Sequence, residues 1–213
     1  SGVLVGHTDS GVAWDHPDLV GRLWDGGSEF PHHGWDCLDD DNDPYDGDSE
    51  YWHGTHTAGL VVGRYTGSAP GARLMITRCV PGYYTDMVEA LQFCLDHGCQ
   101  VVTTSAGWTQ PGAALRAANR GNAEILLSVG IPWFVAGGNG DNTGGHIAPP
   151  DDISSPGDCP DPWYGAAGHS AVIAVGALTS SRQVWSSSSR GPADWSMSEG
   201  GFDDYPYPPG LMK

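Results

Sequence analysis

Short apolar runs alternating with helix-patterned stretches constrain this 213-residue chain more than any other feature. Gly2–Gly6, Arg73–Val80, Cys99–Thr103, Trp133–Ala136 and Ala171–Ala177 read as buried strands. Between the first two, the small residues following His53 suit the start of a closely packed helix. Met87, Ala90, Leu91, Cys94 and Leu95 recur at helical spacing, Asp86 and Glu89 resemble a capping box, and Gly98 closes the element. Pro111 opens a further helix ending at Gly130, with Gly121 weakening its middle. Parallel strands need long crossovers, and helices supply them. The expected fold is therefore α/β: a doubly wound, mostly parallel sheet with helices on both faces, in one domain over 1–213.

Composition narrows the function. A net charge of −17 argues against nucleic acid, whose phosphates need a basic face. No apolar run approaches the roughly 18–20 residues of a membrane span. The five cysteines (37, 79, 94, 99 and 159) match no zinc spacing and leave the compartment open. Much of the acidic load is concentrated between Asp36 and Asp48. Such a run cannot pack in a core. Either it is a solvated loop or its hard oxygen ligands hold a cation such as calcium, and alternation at 39, 41 and 43 lets a curved loop turn carboxylates inward. It is not the EF-hand pattern.

Three further segments invite chemistry. Asp9-Ser10-Gly11 ends the first strand, where open α/β sheets place their sites, although the same residues also make plain turns. His53 and His56 lack the Glu beside the first His that zinc-protease helices use, so His53 reads as a general base at a helix start. Ala136-Gly137-Gly138-Asn139-Gly140 follows a strand, and its glycines allow a ligand or backbone to come close.

In this order the segments resemble the subtilisin-like serine proteases. Val5–Val12 with His16-Pro17-Asp18-Leu19 is similar to that family's catalytic Asp block, and His53–Gly59 to its His block. The resemblance implies that Asp9 orients, that His53 rather than His56 is acid and base, and that Asn139 donates to the oxyanion. It further implies that Ser105, Ala106 and Gly107 pair with substrate backbone, and that Ala136, Gly137 and Gly138 wall the specificity pocket. Ser186–Pro192 matches a landmark without chemistry. Asp36, Asp39, Asp41, Asp43 and, more loosely, Asp46 fall on ligand positions of the calcium loop of thermitase-like members, which implies a structural calcium ion. Asp18 has no assigned role.

The family's Gly-Thr-Ser-Met-Ala block, which carries the nucleophile, does not occur, and Ser170 reads as structural. Only eight residues precede Asp9. The expectation is a peptidase domain without its N-terminal segment and its Ser segment, inactive and poorly stable alone, with the Ser on a missing or separate piece. The alternative is a non-catalytic calcium-binding or regulatory relative. As partners, the resemblance implies a peptide or protein substrate, a complementary Ser-bearing segment and an inhibitory propeptide; as location, secretion.

Overall fold

The computed structural model describes residues 2–47, 52–109, 111–140, 152–159 and 170–191. The chain divides into two compact units, 1–105 and 106–213.

In the first unit, β1 (Leu4–Asp9), β2 (Gly34–Asp36), β3 (Arg73–Arg78) and β4 (Val101–Thr104) lie in the order β2-β3-β1-β4, and every pairing is parallel. Asp9 and Asp36 both stand opposite Arg78 in the register. The three charged residues thus share one level at the carboxyl ends of adjacent strands.

Successive strand residues face opposite sides of a sheet, and helices cover both sides here. On one side Val5, Leu74 and Ile76 pack with Ala58 and Val62 of α1 (His53–Val62), and Val12, Leu19 and Leu23 close the cluster. On the other side Thr77 bonds Cys94 of α2 (Tyr84–Asp96), and Gly6 faces the Cys94 and Cys99 sulfurs. Each large aliphatic side chain fully buried this way contributes about 1.5–3 kcal/mol. The doubly wound expectation holds within this unit.

In the second unit α3 (Ala113–Ser128) runs unbroken through Gly121 and buries Arg116, Asn119, Ala123 and Leu126. Two of those are polar and have partners: Arg116 Nε lies 3.3 Å from Asp158 Oδ2, and Asn119 Nδ2 donates to Ser155 Oγ at 2.8 Å. β5 (Trp133–Ala136) pairs in parallel with β6 (Val172–Val175). Ser170 Oγ accepts from Val172 N, the strand-opening role expected of it.

Boundaries differ from the sequence reading in instructive ways. β2 is only Gly-Trp-Asp, too short for alternation to show. Asp86 is the third helical residue rather than the cap, and its carboxylate accepts from Tyr83 N, the actual cap, at 2.6 Å. All five cysteines are buried, and Cys37, Cys79, Cys94 and Cys99 form no disulfide. Burial pushes the Cys37 and Cys79 thiols well above the ordinary range, and the bond to Cys99 together with burial does the same to Cys94. No described helix is long and apolar enough to cross a membrane. The Pro-rich stretch at 203–210 and most of the irregular 141–169 lie outside the described residues.

Candidate active site

α1 begins at His53 because the backbone turns in through Trp52, held in the left-handed region at φ 47°. A helix start leaves its first N–H groups unpaired, and Trp52 supplies no side-chain cap. Loops from elsewhere do. Ser10 Oγ accepts from Gly54 N at 2.9 Å, and Asp46 Oδ2 accepts from Thr55 N at 3.0 Å. Ser10 and Thr55 in turn pass their hydroxyl protons to Asp46 Oδ1 and Oδ2, at 2.9 and 2.8 Å. A carboxylate at this end also meets the positive pole of the helix. Gly54 permits the approach, since an added Cβ would land on the Gly11 carbonyl.

This docking brings His53 onto the end of β1. His53 Nδ1 donates to Asp9 Oδ1 at 2.6 Å. Asp9 is fully buried and accepts from Ser10 N at 2.7 Å and Thr57 Oγ1 at 3.0 Å as well. Burial alone would raise its carboxyl, but the bond from His53, the neighbouring imidazoles and the Ser10 N–H outweigh it and hold Asp9 below the ordinary carboxylate range. The same bond raises His53 above its ordinary value against partial burial. The His53 side chain is 47% exposed, so with Nδ1 engaged the ring offers Nε2 to an incoming group. The pair has the geometry of an oriented general base. His56 is exposed and stands outside this pair.

In the second unit, residues 137–140 follow β5. Gly137 N donates to Val175 O, and Gly137 O accepts from Ser154 N, each at 2.9 Å. Gly138 has φ +112°, and a Cβ there would come within 2.6 Å of Ser154 Oγ and 2.8 Å of Ser189 Oγ, so only glycine fits. Ser189 N donates to Gly138 O, and Ser189 Oγ accepts from Gly140 N, both at 3.1 Å. Asn139 is thus presented, exposed, from a loop fixed on both sides. The Ser186–Arg190 landmark, expected to carry no chemistry, contributes this support; its Pro192 lies outside the described residues. Ser105 follows β4, and Ala106 and Gly107 lead to Trp108, which exchanges two backbone bonds with Ser155 at 2.8 and 2.9 Å.

The carboxylates of the acidic loop have partners within the protein. Among the described residues no group of three or more His, Cys, Asp or Glu is placed to hold a metal. Asp36 Oδ2 and Asp39 Oδ2 both accept from Arg78 Nη1, at 2.6 and 2.7 Å. Asp36 Oδ1 closes a turn with Leu38 N and Asp39 N. Asp41 accepts from Asp43 N, and Asp43 accepts from the Trp14 indole. Asp46 caps α1. The five carboxylates meet a protein cation, local turns, an indole and a helix end. Asp18 gains a role too: its Oδ1 accepts from Tyr65 N at 3.1 Å and ties down the exit of α1.

Sequence reading missed His7 and Thr57, which stand behind Asp9. A signal existed: His7 precedes Asp9 by two in a strand and so shares its face.

Comparison with known proteins identifies the family. Residues 1–201 match the model of the Subtilase family. Thermitase of Thermoactinomyces vulgaris is 28% identical over 159 residues, which is 67% of this chain and 50% of thermitase. The halolysin-like extracellular serine protease Nep of Natrialba magadii is 29% identical over 114 residues, 49% of this chain and 20% of Nep. The crystal structure of the nisin leader peptidase NisP from Lactococcus lactis superposes with a TM-score of 0.61 at 21% identity, covering 89% of this chain and 59% of that one. The chain spans half the length of thermitase and less of Nep. With the motif order, the parallel α/β fold and the Asp9–His53 pair in place, this chain belongs to the subtilase family of serine peptidases.

Proposed function

We propose that the chain furnishes the Asp–His part of a serine endopeptidase, working with a nucleophilic Ser outside these 213 residues. The observation that carries this is the 2.6 Å bond from His53 Nδ1 to a buried Asp9. Asp9 fixes the imidazole tautomer and stabilises its charged form. His53 Nε2 takes the Ser proton as the hydroxyl attacks the peptide carbonyl and returns it to the leaving amine. Asn139 donates to the developing oxyanion, a contribution of roughly 100- to 1000-fold in rate. Ser105–Gly107 pair with extended substrate as an added strand, and residues 136–138 leave room beside them for its side chain. The partners of this reading are a peptide or protein substrate, the Ser-bearing segment and an inhibitory propeptide. The acidic surface and the extracellular relative Nep support secretion. The resemblance also implies a structural calcium ion at the loop of Asp36, Asp39, Asp41, Asp43 and Asp46, which takes no part in the chemical step.

The test is labelling of the full-length protein by a fluorophosphonate serine probe, beside a His53→Ala variant. Labelling of the native protein that is lost in the variant is the expected result. A folded native protein that takes no label would overturn the proposal in favour of a non-catalytic relative.

A further inference from the structure

Behind the Asp9–His53 pair lies a second imidazole that catalysis, as derived above, does not use. His7 is 1% exposed. Its Nε2 lies 3.1 Å from Gly54 O, 3.2 Å from Thr57 Oγ1 and 4.0 Å from Asp9 Oδ2. A carbonyl oxygen only accepts, so Nε2 carries the ring proton and Nδ1 is bare. Among the described residues that buried Nδ1 has no hydrogen-bond partner. Adding a proton there would bury a charged donor with nothing to receive it, and burial accordingly lowers His7 despite the attraction of Asp9. The neutral Nε2–H form is the one the fold holds.

Thr57 Oγ1 has one proton and three acceptors in reach: Asp9 Oδ2 at 3.0 Å, His53 O at 3.1 Å and Gly54 O at 3.2 Å. The carboxylate is nearest and the only charged one, so it takes the stronger bond. The remaining lone pairs of the hydroxyl then face His7 Nε2–H.

We propose that His7 and Thr57 are positioning residues for the catalytic pair. His7 Nε2–H, shared with Gly54 O, donates to Thr57 Oγ1, Thr57 O–H donates to Asp9 Oδ2, and Asp9 Oδ1 accepts from His53 Nδ1–H. The chain of bonds does two things. It fixes the plane of the Asp9 carboxylate so that Oδ1 faces His53. It also draws charge toward Oδ2, which moderates the proton affinity that Asp9 confers on His53. Besides Thr57, the charged and titratable groups acting on His7 are Asp9, His53 and Asp46. The catalytic consequence rests on the peptidase reading; the hydrogen-bond chain does not.

Two measurements on full-length protein test it: the His53 titration midpoint by NMR of histidine-labelled protein, and kcat and KM on a peptide substrate. Thr57→Val keeps the shape and removes the hydroxyl, while Thr57→Ser keeps the hydroxyl. Thr57→Val is expected to raise the His53 midpoint by on the order of half a pH unit, because Asp9 loses a competing donor. It is expected to lower kcat roughly tenfold with little change in KM, the size of one charge-assisted bond. Thr57→Ser should stay near the native midpoint. His7→Leu should shift it in the same direction by less, His7→Gln should reverse much of that shift, and His7→Leu should add nothing in the Thr57→Val background. Equal behaviour of Thr57→Val and Thr57→Ser, or additive His7 and Thr57 effects, would overturn the proposal. Should Thr57→Val not fold, the His7→Leu and His7→Gln pair decides by the same midpoint. Shifted midpoints without hydrolysis by the native protein would sink the peptidase reading and leave the bond chain standing. Hydrolysis with an unmoved His53 would do the reverse.

Discussion

Asp46→Ala is the perturbation that most directly separates the two roles open to the acidic loop. Asp46 is 1% exposed and terminates two hydrogen-bond chains. In one, Gly54 N–H donates to Ser10 Oγ and Ser10 donates to Asp46 Oδ1. In the other, Ala13 N–H donates to Thr55 Oγ1 and Thr55 donates to Asp46 Oδ2, which also accepts from Thr55 N. Alanine removes a helix cap, costing about 1–2 kcal/mol, and strands two hydroxyl donors at roughly 1 kcal/mol each. The sum is about 3–4 kcal/mol, which at this size lowers Tm by on the order of 10 °C. The assay is urea unfolding of native and Asp46→Ala protein, each in excess calcium and in EDTA. A cap predicts the same loss in both buffers. A loss that disappears in EDTA would show that Asp46 acts through a bound metal and would refute the reasoning; so would a loss under 1 kcal/mol in either buffer.

Three other outcomes follow from the same geometry. Arg78→Met leaves Asp36, 1% exposed, without the cation that also meets Asp39; an uncompensated buried charge costs about 3 kcal/mol, to be read as a lowered urea midpoint. Gly54→Ala drives a methyl group into the Gly11 carbonyl, so circular dichroism melts should show a clear loss and the His53–Asp9 contact, read by the His53 NMR midpoint, should weaken. The histidines shape stability against pH in opposite senses. His7 is depressed below the ordinary 6.5, so as pH falls below that value the unfolded chain binds a proton that the folded chain refuses. Stability then drops by up to about 1.4 kcal/mol per pH unit until the folded value is reached. His53 is raised, so its contribution is complete below 6.5 and is lost as pH rises through its folded value. The acid-side slope should flatten in His7→Leu; an unchanged slope would show that His7 does not titrate as described.

The parts of the site that local pattern encodes were legible in the chain. Asp9 stands at the end of an apolar run and His53 at the head of a run of small residues, and the structure places them at a strand's carboxyl end and a helix start. The Gly-Gly-Asn-Gly loop after Trp133–Ala136 was legible for the same reason, since Gly138 adopts a conformation open to glycine. Asp46 shows the limit. In sequence it is one more carboxylate of an acidic run, and nothing local distinguishes it from Asp41 or Asp43, which remain exposed.

What the sequence determined by itself was the alternation of strands and helices, the helix start at His53 and the identity of the reactive groups. Those follow from periodicity and steric preference over a few residues. Only the tertiary structure decided the partners: Asp46 for α1, Arg78 for Asp36 and Asp39, and His7 and Thr57 for Asp9. Apart from the cap contact of Asp46 with Thr55 and the strand neighbours His7 and Asp9, each of these pairings joins residues about forty or more apart in the chain, such as Thr57 and Asp9 at 48 positions. A separation of that length carries no periodic signal. Which carboxylate meets which donor is settled when parallel strands bring distant ends to one level and buried polar atoms must find the partners that packing puts in reach.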